Sequence, residues 1–189
     1  MFVDHTPETA PPAARRAMAA TARRLGYLPA PVARMAAAPE LLDGFLRLRD
    51  LFDATTLDPL ARETLIMTIA TRNGCHVCVA MHTAKLTALD ADTALVAALR
   101  AGTALPESRL EALRRFTLDV LEHAGDVDAE RLEAFLANGF THRQALEVVL
   151  GIGTYTLSTL ANRLTAAPLD EQLAPFAWHG APPLTGPAR

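Results

Sequence analysis

Apolar residues recur along most of this chain at steps of three and four, the spacing that lines one face of an α-helix. No segment shows the strict alternation of a half-buried strand. The pattern predicts an all-α protein of about eight to ten helices. Pro11 to Leu25 reads as a first helix with Met18, Ala22 and Leu25 inward, stopped by Gly26, and Tyr27-Leu28-Pro29-Ala30-Pro31 reads as a turn. A short helix to about Ala37 leads into one opened by Pro39, in which Leu41, Leu42, Phe45, Leu48, Leu51 and Phe52 repeat with helical period. Asp58-Pro59, a capping residue followed by a first-turn proline, starts the next helix. It carries Glu63 among Leu60, Leu65, Ile66, Met67 and Ile69 and stops at Asn73-Gly74.

Cys75 then stands at or just before the first turn of a helix running to about Leu86. A short helix opened by Asp90 follows, and a longer one over Pro106 to His123 with Leu110, Leu113, Phe116, Val120 and Leu121 inward. Asp128 opens a helix to Ala137, closed by Asn138-Gly139, and Thr141 caps a long last helix reaching Leu164. Its small residues between Gly151 and Thr159 suggest close packing against another helix or another subunit. The tail 168–189, with Trp178 and repeated prolines, is expected to be irregular and to lie over the domain or a neighbour. The whole of 1–189 reads as one domain with a core over about 25–164.

Composition narrows the function classes more than the fold. At 189 residues, 50% of them hydrophobic, the chain is long enough for one ordinary core. Its net charge of −3, with basic residues scattered among acids, gives no footprint for nucleic acid. The most apolar stretch, 145–161, is broken by Glu147 and several hydroxyl residues, so no membrane span is expected. Met1 to Arg16 holds acids and prolines where a signal peptide would hold an apolar run. A cytoplasmic location is the expectation. In that reducing setting a lone Cys-x-x-Cys serves catalysis or metal binding more often than it serves as a structural staple.

Cys75 and Cys78 are the only cysteines, and with His82 they fall at steps of three and four on one helical face. Two thiols at this spacing can close into a disulfide ring and so hold and release two electrons. The thiolate is the nucleophile, and two arguments compete over which sulfur carries it. A helix N-terminus favours ionisation of Cys75, whereas an imidazole one turn away favours Cys78. The residues alone leave both open. Glu63, twelve positions before Cys75, completes a proton relay only if its helix folds back beside the cysteines; by position it reads more readily as an exposed glutamate. Other readings of the pair are two buried small side chains, or a zinc site needing a fourth ligand beyond Cys75, Cys78 and His82. Val79 after Cys78 excludes a c-type haem site. His76 is expected to be exposed, with His5, His123, His142 and His179 in surface roles and Tyr155 and Trp178 in packing.

Glu63, Cys75, Cys78 and His82 together stand as E-x11-C-x2-C-x3-H, and this pattern resembles the AhpD-like alkylhydroperoxidases of the carboxymuconolactone decarboxylase superfamily. Leu25-Gly26-Tyr27-Leu28-Pro29, Ala38-Pro39-Glu40-Leu41-Leu42, Leu57-Asp58-Pro59, Asn73-Gly74-Cys75 and Thr159-Leu160-Ala161-Asn162 extend the resemblance over about 25–164. It implies an all-helical fold assembling as a trimer or hexamer, without cofactor or metal. It also implies a peroxidase in which Cys78 attacks a hydroperoxide, Cys75 resolves the sulfenic acid as a disulfide, and Glu63 and His82 relay the proton. The electron donor would be a dithiol such as a lipoyl protein. The best-known members place a histidine directly before the second cysteine; here that position is Val77. A non-redox lactone decarboxylase of the same superfamily, or a metal-stabilised binding module, are the competing readings.

Overall fold

Helix α4 (Pro59–Arg72) is buried on nearly every side, from Ala61 through Ala70, because it is the post around which the other helices pack. Its start follows the expected order: Asp58 accepts from the Ala61 amide at 2.8 Å and Pro59 takes the first turn. The computed structural model describes residues 2–180, and among these the protein is all-α, with nine α-helices, one closing 3-10 helix and no strand. Before α4 come α1 (Pro12–Leu25), α2 (Ala30–Met35) and α3 (Pro39–Asp53). After it come α5 (His76–Ala88), α6 (Thr93–Ala101), α7 (Ser108–Glu122), α8 (Ala129–Ala137) and α9 (His142–Leu164). None of these helices is long and apolar enough to cross a membrane.

Two hydrophobic clusters form. The larger centres on α4 and joins α5 to α9 through Leu65, Ile69, Leu86, Leu110 and Phe135. The smaller packs α1, α2 and α3 through Met18, Val32, Met35 and Leu42 and touches α9 at Ala161. Helix α9 spans both. It is fixed at its start by a capping box, in which Thr141 accepts from the Gln144 amide while the Gln144 side chain accepts from the Thr141 amide. The small-residue run packs within the chain: a Cβ on Gly151 would lie 2.6 Å from Phe52 Cε2 and 2.7 Å from Leu65 Cδ2. Gly153, on the other side of the helix, meets nothing.

Four details differ from the sequence reading. The sixth helix is capped by Asp92, whose carboxylate accepts from Ala94 at 2.8 Å, while Asp90 turns the chain at φ 52. Leu25 and Leu51 are exposed rather than inward, at 44% and 60%: Leu25 continues the line of Ala14, Met18 and Thr21 but is the last residue of α1, while Leu51 lies off the face that α3 buries. The tail is less irregular than its prolines suggest, since Glu171–Phe176 forms a 3-10 helix against α5. Arg100 donates to the carbonyls of Phe176 and Ala177, and Trp178 Nε1 returns a bond to Arg100 O at 3.0 Å. The rest of the expected tail, 181–189, lies outside the described residues.

Candidate active site

The join between α4 and α5 is built by local rules. Gly74 adopts φ 64, where a side chain would be strained and would press on Arg163 Nη1 at 3.0 Å. This lets the Cys75 amide reach back to Ala70 O at 2.9 Å and the Gly74 amide to Thr71 O at 3.1 Å, the paired closure of a Schellman turn. Cys75 therefore ends one helix and is the N-cap of the next, with no residue to spare between them. The turn is tied to α9: Asn73 Nδ2 donates to Thr159 Oγ1 at 2.9 Å, and Arg163 donates to Asn73 O.

Cys75 and Cys78 are free thiols, both buried, with their sulfurs 3.0 Å apart and sharing a hydrogen bond. Once ionised, Cys75 is held by the Cys78 S–H. That bond, with the amides of Cys78 and Val77 and the Asn162 side chain, outweighs burial and draws its pKa down from 9.0 to about 7. Cys78 moves the other way, raised first by the hydrogen bond it gives to Cys75, then by burial and the neighbouring charge. Above about pH 7 the pair thus holds one proton between two sulfurs, and of the two it is Cys75, at the helix N-terminus, that ionises more readily.

Glu63 is buried, at 8% exposure, against the reading of its position as an exposed glutamate. Helix α5 folds back along α4 and sets His82 Nδ1 2.5 Å from Glu63 Oε2, with Lys85 Nζ 3.5 Å from Oε1. Burial pushes the Glu63 carboxyl up, but the facing His82 and then Lys85 more than offset this and leave its pKa below the usual value. The four motif residues therefore do converge. Among the described residues, however, no hydrogen bond joins the His82 ring to Cys78, and no group of three or more His, Cys, Asp or Glu side chains is placed to hold a metal ion.

A cavity of about 420 Å³ opens where the two hydrophobic clusters meet. Cys78 and His82 line it, and Cys75 does not. Its walls are largely apolar, from Val32, Met35, Phe45 and Met81, with Arg49 and Asp53 among its charged residues. Tyr155, expected only to pack, forms part of this wall and stands edge-on to the rings of His82 and Phe52 at 5.5 and 5.6 Å. Two further residues of α9 reach the sulfur: Asn162 Nδ2 lies 3.3 Å and Ser158 Oγ 3.8 Å from Cys78 Sγ. Sequence reasoning assigned neither to the site. The only available signal was Thr159-Leu160-Ala161-Asn162, which carried resemblance without a role. Of the histidines expected at the surface, His76 is exposed, and His123 bonds Arg131 at 2.6 Å.

The model of the carboxymuconolactone decarboxylase family matches residues 39–117, the segment that holds α4, α5 and both cysteines. No curated protein matches the sequence. Among solved structures, an AhpD-core peroxidase-related protein from Ralstonia eutropha JMP134 superposes with TM-score 0.79 at 19% identity, covering 91% of this chain and 93% of that one. A peroxidase-related protein from Silicibacter sp. TM1040 gives 0.75 at 18% identity, with 91% and 93% covered. A cysteine-to-alanine variant of the debrominase Bmp8, in complex with 2,3,4-tribromopyrrole, gives 0.67 at 17%, with 87% and 89% covered. At these identities the likeness is one of fold, and the fold serves more than one activity.

Proposed function

From the match of residues 39–117 to the carboxymuconolactone decarboxylase family model, we propose that the chain is a member of that family and a thiol-dependent peroxidase that reduces organic hydroperoxides by a Cys75–Cys78 dithiol cycle. The observation that carries the reading is the pair of free sulfurs 3.0 Å apart, with only Cys78 facing a cavity that also holds His82. Access and acidity are divided between the two. Cys75 is the more readily ionised sulfur and Cys78 the one a substrate can meet, so a proton crossing the shared hydrogen bond moves the negative charge to where the peroxide is. Cys78 is then the nucleophile and Cys75 the resolving thiol. A sulfenic acid beside a second thiol condenses to a disulfide before it over-oxidises.

The Glu63–His82 pair serves as proton relay, with Glu63 orienting the ring through Nδ1 and leaving Nε2 for the leaving alkoxide. A cavity of about 420 Å³ is far larger than hydrogen peroxide needs and suits an organic hydroperoxide with a bulky apolar body. The cycle is closed by a dithiol donor, such as a lipoyl group, and the working form is a homo-oligomer.

The test is a free-thiol count on reduced protein before and after one equivalent of an alkyl hydroperoxide. Both thiols are expected to disappear and to return with a dithiol reductant. Cys78→Ser abolishes the reaction, whereas Cys75→Ser reacts once and stalls as a sulfenic acid that dimedone traps. Loss of the first step in Cys75→Ser alone would reverse the roles. A lactone decarboxylase without redox chemistry would leave the thiol count unchanged.

A further inference from the structure

Asn162 is 5% exposed and projects from α9 beside Cys78. Its Nδ2 lies 3.3 Å from Cys78 Sγ and 3.9 Å from Cys75 Sγ, so one amide N–H donates to the cavity-facing sulfur and leans toward the other. Its Oδ1 is buried and, among the described residues, accepts from nothing. A buried amide oxygen without a partner is rare in a folded protein, and it needs an explanation. The orphan sits on the same planar amide as the nitrogen that touches the sulfur, which places it beside whatever that sulfur becomes.

We propose that Asn162 is a catalytic residue that serves Cys78 in both of its states: its N–H holds the attacking thiolate, and its free Oδ1 accepts from the O–H of the sulfenic acid. The proposal rests on the peroxidase reading above. In the first step the Cys78 thiolate attacks the terminal oxygen of R–O–O–H. An S–O bond forms, the O–O bond breaks, and the alkoxide leaves with a proton, so the sulfur is oxidised by two electrons and the peroxide reduced by two. The new O–H then has an acceptor already in place. In the second step Cys75, giving up its proton, attacks the Cys78 sulfur. The S–S bond forms, the S–O bond breaks, and the oxygen leaves as water with that proton. The thiolate needs a donor and the sulfenic acid an acceptor. A carboxamide offers both without titrating, which neither a carboxylate nor an apolar side chain does.

The experiment compares Asn162→Asp and Asn162→Ala in the Cys75→Ser background, where Cys78 is the only thiol. The pH profile of alkylation by iodoacetamide, read by mass, reports thiolate formation without any peroxide. Loss of one charge-assisted hydrogen bond moves the Asn162→Ala profile up by about one pH unit. Asn162→Asp moves it further, because a carboxylate of the same size repels the thiolate. That order distinguishes direct contact from a structural role, which would follow the loss of packing and favour Asp over Ala. With one equivalent of cumene hydroperoxide, the rate at which dimedone-trapped sulfenic acid forms falls roughly 10-fold at pH 7 in Asn162→Ala and further in Asn162→Asp. If Asn162→Ala does not fold, Asn162→Asp and Asn162→Ser carry the same comparison. Alkylation profiles that superimpose, with peroxide turnover intact in the parent, would overturn the assignment of Asn162 alone. A parent that alkylates but never reacts with the hydroperoxide would instead sink the peroxidase reading and the sulfenic half of this one.

Discussion

A carboxylate buried among Leu65, Ile66 and Met67 would be expelled or protonated without the imidazole 2.5 Å away, so Glu63 and His82 are each present on account of the other. Glu63→Gln keeps the shape and removes the charge; peroxide turnover is expected to fall by about 10²–10⁴, measured against the unchanged helical circular dichroism. Its folded pKa is depressed, so the stability it contributes is fully present above the ordinary value of 4.5 and is lost as pH falls through the folded value. Acid unfolding of Glu63→Gln is therefore shallower than that of the parent below pH 4.5. Cys75 titrates near 7 in the folded protein against 9.0 ordinarily. Iodoacetamide labelling of the reduced pair should accordingly rise through about pH 7, and the same chain in urea should wait until near 9. The motif residues were legible because their spacing is local to one face of a helix. The burial of Glu63 was not, since it depends on how α5 returns along α4, and neither was Asn162, which comes 84 positions after the sulfur it touches.

At the level of the helices, most starts were legible because caps are short-range chemistry: Asp58, Asp128 and Thr141 all accept the bonds their positions implied. Asp90 misled because two acids stand near one helix start and the chain uses the second. The inward faces were less legible. Leu25 and Leu51 obey the helical period yet are exposed, a choice made by neighbours rather than by the period. Gly151 is the contact on which α9 seats against α3 and α4. Gly151→Ala puts a methyl into Phe52 and Leu65 and is expected to cost about 1–3 kcal/mol, seen as a lower melting temperature. The same change at Gly153 should leave it unchanged or slightly higher, since nothing stands within 4 Å and alanine favours the helix.

Over the whole molecule, the cavity exists because the chain builds two apolar clusters and joins them imperfectly across α3, α5 and α9. No sequence period reports such a seam, and it was not foreseen. On the opposite side of α9, Leu146, Val149, Leu160 and Leu164 lie 50–75% exposed in a row at helical steps. The proposed homo-oligomer would cover this row. Leu160→Glu combined with Leu164→Glu is then expected to lower the mass measured by analytical ultracentrifugation while the thiols keep their reactivity. A parent that sediments as a monomer would remove the oligomer from the reading.

Because Cys75 is sealed and Cys78 alone meets the cavity, the oxidised protein of the proposed cycle has one door. A reducing thiol can only strike the Cys78 end of the disulfide, which expels Cys75, the sulfur with the lower pKa and hence the faster leaving group. Oxidant and reductant must then take turns in the same room. Steady-state rates should give parallel double-reciprocal lines, with excess reductant crowding out the peroxide, and a donor whose dithiol rides on a slender arm will outrun one whose dithiol lies flush with a globular surface.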